Sequence, residues 1–236
     1  MSGRALVAVF VVALFLLLAA TLPLRLAISA GAGGFPDRLE LSAAEASGTL
    51  WSGQLRAVTW RGRPQGDVAV SLRPLSLLAG TRRVRLSAPA FSIDVLQGRR
   101  TGFEHARGRL ELAVREPHAG TLALSLDDAG LVFDSGTCRH ATGRVVAEFS
   151  IEGLAQPLQL AGPVACDRER GAIALAAHAP GAIPVEARVS IDARGRYEVR
   201  SLVRPADAAT TLALRAAGFA PTPDGLARTD GGHLPE

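Results

Sequence analysis

From Val68 to Val199, apolar side chains return at every second position, and this period of two constrains the fold more than any other feature. Val68, Val70 and Leu72 alternate with Asp67, Ala69 and Ser71; Val84, Leu86 and Ala88 repeat the pattern, then Phe91, Ile93 and Val95. Leu110, Leu112 and Val114 follow, then Leu122, Leu124 and Leu126, then Val145, Ala147, Phe149 and Ile151. Leu158 and Leu160, Ile173, Leu175 and Ala177, Val185 to Ile191, and Tyr197 with Val199 complete the series. Successive side chains of a strand point to opposite faces, so each run is a strand with one apolar and one wet face. The runs recur about every 10–15 residues, too closely for helical crossovers between most of them. Short connections between such strands make antiparallel sheet. The expected body is mainly β, a curled antiparallel β-sheet or a β-sandwich.

Asp127-Asp128-Ala129-Gly130, Ala193-Arg194-Gly195 and Gly98 read as turns, places where the backbone wants a positive φ. On a strand the adjacent Asp127 and Asp128 would point to opposite faces, so they read as a turn and not as paired catalytic carboxylates. Two stretches break the alternation. Leu75–Ala79, after Arg73-Pro74, has the length of one helical turn. Ala206–Ala217 reads as a short C-terminal helix, with Pro205 before it, Asp207 in its first turn and Gly218 as its stop.

The start of the chain constrains its placement. Met1-Ser2-Gly3-Arg4 is short and positive, and Ala5–Leu22 follows with 17 apolar residues in 18 positions, Thr21 being the exception. As a helix that run spans roughly 27 Å, close to the thickness of a hydrocarbon core. The positive start keeps the N-terminus cytoplasmic and sends the body across. The run is longer than a signal-peptide core, and the nearest small-x-small triplet, Ala30-Gly31-Ala32, lies well downstream of it, so a retained single-pass anchor is expected. The expected organisation is a membrane anchor over 1–25, a tether over 26–37, a β-rich domain over 38–220 and a loop-like tail over 221–236.

All 26 basic residues are Arg, and they are scattered along the strands instead of forming a stripe; with aromatic residues at 5%, nucleic-acid binding is not expected. Cys138 and Cys166 are 28 residues apart. An even cysteine count in an exported domain reads as one disulfide. The competing metal site of Cys138, His140 and Cys166 follows no zinc-ligand spacing. The other histidines, His105, His118, His178 and His233, show no ligand pairing, and Ser135-Gly136 has Phe133 where a nucleophile elbow needs Gly. Glu45 and Asp67 carry nothing that marks them as a carboxylate pair. No catalytic, metal or cofactor site is expected.

Two regions carry a family resemblance. The first is Ala46-Ser47-Gly48-Thr49-Leu50-Trp51-Ser52-Gly53, with Gly66-Asp67-Val68 and then Leu72-Arg73-Pro74-Leu75-Ser76-Leu77-Leu78-Ala79-Gly80. The second is the Cys138–Cys166 segment with Gly195-Arg196-Tyr197 and Gly218-Phe219. Together they resemble the N subunit of the bacterial type II secretion system. The resemblance implies a single-span inner-membrane protein with a periplasmic β-rich domain carrying two cysteines. It implies no catalysis and no cofactor, but a non-enzymatic accessory role, partnered by other inner-membrane secretion subunits, in exporting folded proteins across the outer membrane. Physically, Gly48 and Gly53 allow sharp turning while Trp51 buries a large ring; Trp60 reads as core. Gly48, Thr49, Leu50, Trp51, Gly53, Arg73 and Pro74 are thus the motif residues, structural or partner-contacting. A fainter likeness to AsmA-type periplasmic proteins supplies the alternative, a curled sheet whose apolar face holds lipid.

Overall fold

The computed structural model describes residues 21–25, 41–60, 63–114, 120–151, 157–177 and 184–233. The expected anchor and tether fall outside these residues except at 21–25, and among the described residues no helix is long and apolar enough to cross a membrane. The expected core residue Trp60 has its side chain outside the described set, as do His118 and His178.

Fifteen strands form one antiparallel sheet among the described residues. They are β1 (Leu41–Ser42), β2 (Glu45–Gly48), β3 (Gly53–Trp60), β4 (Arg63–Leu72), β5 (Thr81–Ser87), β6 (Phe91–Gly98), β7 (Arg100–Val114) and β8 (Gly120–Asp134). They continue as β9 (Thr137–Ile151), β10 (Leu158–Asp167), β11 (Arg170–Ala177), β12 (Val185–Ile191), β13 (Arg196–Val203), β14 (Ala220–Thr222) and β15 (Gly225–His233). From β3 to β13 each strand pairs with the next in sequence; β1 and β2 share the outer edge of β3, and the far side runs β13-β15-β14. No pairing among these strands closes the sheet into a barrel. Of the two architectures the alternation allows, the structure takes the single curled sheet.

Two helices interrupt the meander: α1 (Pro74–Leu78) and α2 (Ala208–Ala216). Both fall where the breaks in alternation placed them. Asp207 is the N-cap of α2 rather than a first-turn residue, its carboxylate accepting the Thr210 N–H at 2.7 Å. Two expectations need correction. The segment after Pro221 is no frayed tail: β15 pairs with β13 from Leu226↔Val203 to His233↔Arg196, and β14 closes the edge. Its composition is turn-like, but an eight-pair ladder satisfies backbone groups whatever the side chains. Nor is Asp127–Gly130 a turn. It is a β-bulge inside β8, where the register with β9 slips between Asp127 and Gly130 and Asp128 sits at φ 46°.

The apolar ladder crosses the sheet as the alternation implies. Leu112 pairs with Leu122, Leu122 with Phe149 and Phe149 with Leu158; one step along, Leu124, Ala147, Leu160 and Ala177 line up across β8 to β11. Ile173, Val189 and Val199 carry it to β13. A single sheet has no second layer to cover this face, so it buries it by bending. The bulges supply the bend. In β7 the register slips between Phe103, Ala106 and Gly108, directly beside the slip in β8. Ala106 and Ala129, at these two bulges, are completely buried at the centre of the core with Leu131, Phe133, Val145, Ala147 and Leu160. Leu131 reaches across to β11, where its Cδ atoms lie within 2.5 Å of the place a Cβ on Gly171 would occupy.

The disulfide takes over where the β9–β10 ladder stops. The ladder ends at Pro163↔Arg144, since Pro163 has no N–H to donate. Beyond it, Cys138 and Cys166 are bonded, and the Cys138 N–H donates to Glu169 O at 3.0 Å. The pairing expected from the cysteine count is the one found. Replacing both cysteines by Ser should lower unfolding stability by about 3 kcal/mol, from a loop of this length. Denaturant titration checks it; a loss below roughly 1 kcal/mol would mean that the ends hold without the bond.

One buried charge is built into the sheet. Asp94 of β6 is 1% exposed and directly opposite Arg85 of β5, whose Nε and Nη2 reach its two carboxylate oxygens at 2.6 and 3.0 Å. Burial pushes the Asp94 carboxyl up, but the two bonds and charge of Arg85, with Arg73 and Arg83 nearby, outweigh it and hold the group below its ordinary value. The partners are unequal, because the Arg85 side chain is 43% exposed. Arg85→Ala strands a buried carboxylate and should cost about 3 kcal/mol, whereas Asp94→Asn frees a guanidinium that water can solvate and should cost about 1–2 kcal/mol. A carboxyl with a depressed folded pKa stabilises fully above the unfolded value of about 3.9 and loses that contribution as pH falls through the folded value. Thermal unfolding should therefore show the wild-type advantage over D94N narrowing only in acid; a gap constant from pH 7 down to about pH 2 would refute the assignment.

Candidate functional site

The motif residues assemble at the edge of the sheet where the chain arrives from its apolar run. Gly48 and Gly53 face each other as the last pair of the β2–β3 hairpin, and Thr49–Ser52 is the connection. Thr49 N–H donates to Ser52 O at 3.0 Å, and Ser52 N–H returns to the Thr49 hydroxyl at 3.3 Å. The two glycines serve different needs. Gly48 has φ +84°, left-handed backbone that a Cβ opposes. Gly53 has ordinary backbone, but a Cβ there would lie 2.5 Å from Leu24 Cδ2 and 2.9 Å from Thr49 O.

Leu24 is the residue that Gly53 makes room for, and it is 3% exposed. Around it the segment Leu22-Pro23-Leu24 is fastened to the hairpin loop. Pro23 and Thr49 form an antiparallel bridge, and the Leu50 N–H donates to Leu22 O at 3.0 Å. Leu50 passes the connection on, its O accepting the Leu72 N–H at 3.3 Å. The next residue, Arg73, donates its N–H to Arg83 O at 3.0 Å, and Pro74 then opens α1 at a position where its missing N–H costs nothing. The Leu72–Leu50 bond thus sets Arg73 and Pro74, which follow Leu72 directly, beside the hairpin loop, although 20 positions separate Gly53 from Arg73. Thr49, Leu50 and Trp51 are half-buried, while Arg73 and Pro74 are exposed. Trp51 is therefore not the fully buried anchor of the turn; Leu24 holds the central position.

Sequence reasoning marked Pro23 only as the place where the apolar run stops, and missed that residues 22–24 complete the motif. The available signal was the need for glycine at Gly53, which implies a neighbour pressing on that backbone without naming it. The other candidates separate. Glu45 pairs with Arg56 at 3.4 Å, while Asp67 accepts the Ala57 N–H at 3.0 Å, supporting a bulge residue at φ 48°. They make no carboxylate pair. His105 and Asp128, each at a bulge with positive φ, meet at 3.2 Å, and Arg107 Nε donates to the same Asp128 oxygen at 3.1 Å. The Arg107 and His105 bonds hold the Asp128 carboxyl below its ordinary value. The group links two neighbouring bulges across β7 and β8.

Two open clefts lie at the other end of the sheet, of about 750 and 710 Å³. The first runs between β15 and the end of α2 beside Glu198 and Arg228; the second is lined by Asp167, Arg170 and Arg188. Several of their charges are paired: Arg188 with Asp167 at 2.5 Å, Arg170 with Glu198 at 3.9 Å and Arg228 with Asp230 at 2.7 Å. The motif seam is the candidate site.

Its packing is testable by a double-mutant cycle. Gly53→Ala should destabilise the full-length protein by roughly 2 kcal/mol by driving a Cβ into Leu24, and Leu24→Ala by a similar amount through the space it vacates. Combined, they should lose clearly less than the sum, by about 1 kcal/mol or more, since the smaller Leu24 side chain removes the clash. Strict additivity in thermal unfolding would show that Leu24 does not rest on Gly53.

The chain matches the family described as Type II secretion system (T2SS), protein N, from residue 40 to residue 229. No curated protein and no solved structure shows a significant match to it. The matched stretch opens just before β1 and ends inside β15, so it takes in the hairpin motif, the disulfide and the bent core as one unit. A family profile that spans the sheet from its first strand to its last, over most of the chain, makes this protein a member of the type II secretion system protein N family.

Proposed function

We propose that the chain is a non-enzymatic accessory or scaffold subunit of the inner-membrane platform, supporting export of folded periplasmic proteins across the outer membrane. Its N-terminus lies in the cytoplasm, Ala5–Leu22 spans the inner membrane once, and the sheet stands in the periplasm. The observation that carries this reading is the fastening of Leu22, Pro23 and Leu24 to the Thr49–Leu50 loop. A body on a free linker swings; one hydrogen-bonded to the residues that leave the span takes its orientation from the span. That suits a subunit that presents surfaces to membrane-bound neighbours. The Cys138–Cys166 bond supports an oxidising compartment. Partners have edge strands to pair with, β1 and β2 on one side and β14 on the other, whose outward backbone groups can accept an added strand.

The test is affinity purification of the full-length protein from its host in mild detergent, with mass spectrometry of proteins and lipids. Other inner-membrane secretion subunits should co-purify with background lipid only. Stoichiometric phospholipid without those subunits would overturn the scaffold reading in favour of lipid handling by the apolar face, as in AsmA-type proteins.

A further inference from the structure

Helix α1 is built inside out. Of Pro74-Leu75-Ser76-Leu77-Leu78, the one polar side chain faces the sheet: Ser76 Oγ donates to Arg73 O at 2.6 Å and accepts the Arg83 N–H at 3.2 Å. None of its residues is buried, and Leu75 and Leu78 are 80% and 87% exposed, with Leu77 at 40%. A surface helix normally turns its leucines to the core and its serine to water. Three leucines held outward on a turn whose serine is fixed inward form an apolar patch that the sheet does not cover.

Position and charge identify what covers it. Leu72 bonds to Leu50 and Leu50 to Leu22, so α1 begins two residues from a strand held one loop away from the end of the apolar run. Leu22, at that end, is itself 39% exposed. Arginines surround the patch: Arg73 immediately before α1, Arg82 just after it, and Arg99, whose N–H donates to Gly80 O at 3.1 Å. Carboxylates on the adjoining strands are already engaged, Asp94 with Arg85, Glu104 with Arg83 and Asp134 with Arg99 and Arg100. Leucines rimmed by arginines, beside the mouth of a membrane span, have the make-up of a segment seated at the lipid headgroups.

We infer that α1 is a membrane-interface foot: Leu75, Leu77 and Leu78 insert into the bilayer surface from which the chain emerges, and Arg73 and Arg82 meet anionic headgroups. This rests on the membrane-anchored reading above. The sheet then has two attachments to the membrane, the bonded end of the span and the foot, and the second braces the orientation that the first sets.

Because both native cysteines are bonded to each other, a single added thiol can be spin-labelled. The test uses full-length L78C and, as a control, L212C, which labels a leucine on α2 that is 72% exposed. Both are reconstituted into phosphatidylethanolamine–phosphatidylglycerol vesicles and recovered by flotation. The label at 78 should be accessible to oxygen and shielded from a water-soluble nickel chelate, at roughly 5–10 Å into the headgroup–acyl boundary, while the label at 212 stays aqueous. A label at 78 that is as nickel-accessible as that at 212, on protein that floats with the vesicles, overturns the foot and leaves the anchor standing. Spin–spin broadening at 78 overturns it in favour of a second copy of the chain on the patch. Protein that fails to float overturns the anchored reading and the foot with it.

Discussion

A meander of this length has one apolar face and no second layer to lay against it, and the whole architecture answers to that constraint. Sheets beyond about ten strands curl, split or flatten, because accumulated twist pulls the edges out of plane. Here the sheet curls, and it does so at aligned irregularities. Each of the long strands β7, β8 and β9 is interrupted near its middle, and the bulges put Ala106 and Ala129 at the most buried point of the core. Small side chains suit that place: where a strand bends toward its own apolar face, little volume remains for a side chain. His105 and Asp128 bear the left-handed backbone on the outer side and bind each other there. A conformational cost on the outside accompanies closure of the core on the inside.

Curling leaves the sheet with seams, and the chemistry of the chain is concentrated at them. Where Pro163 ends the β9–β10 ladder, a disulfide joins the strands. Where β5 and β6 carry a buried carboxylate, Arg85 neutralises it with two bonds. Where the chain enters the sheet, Leu22–Leu24 bonds to the hairpin loop that joins β2 and β3. None of these devices is catalytic in form. Each closes a gap in backbone pairing or charge, which fits the scaffold role proposed above.

The family motif takes its meaning from the last of these seams. As a string, Gly48-Thr49-Leu50-Trp51-Ser52-Gly53 suggests a turn with an aromatic anchor. In the fold it is a receptor for the residues that leave the apolar run, with Gly48 required by its dihedral and Gly53 by the approach of Leu24. Arg73-Pro74 belongs to the same site because Leu72 hydrogen-bonds to Leu50. A motif in two pieces is then one contact surface, and its spacing reflects the length of β3 and β4, which separate the pieces.

The alternation of period two determined most of the strands and the face each one buries, since apolar side chains every second residue have one way to leave water together. The breaks in that pattern located both helices, and the cysteine count implied the bond. Three things were decided only by the folded chain. Asp127–Gly130 has the residues of a turn and became a bulge, because β8 continues to pair with β9 on both sides of it. The segment after Pro221 has the residues of a tail and became a strand, because β13 offered an open edge. Leu22–Leu24 read as the end of an apolar run and became part of the motif, through backbone hydrogen bonds. Every residue but proline carries the same backbone donor and acceptor, so pairing between distant segments leaves little mark on side-chain identity until the sheet has curled and brought them together.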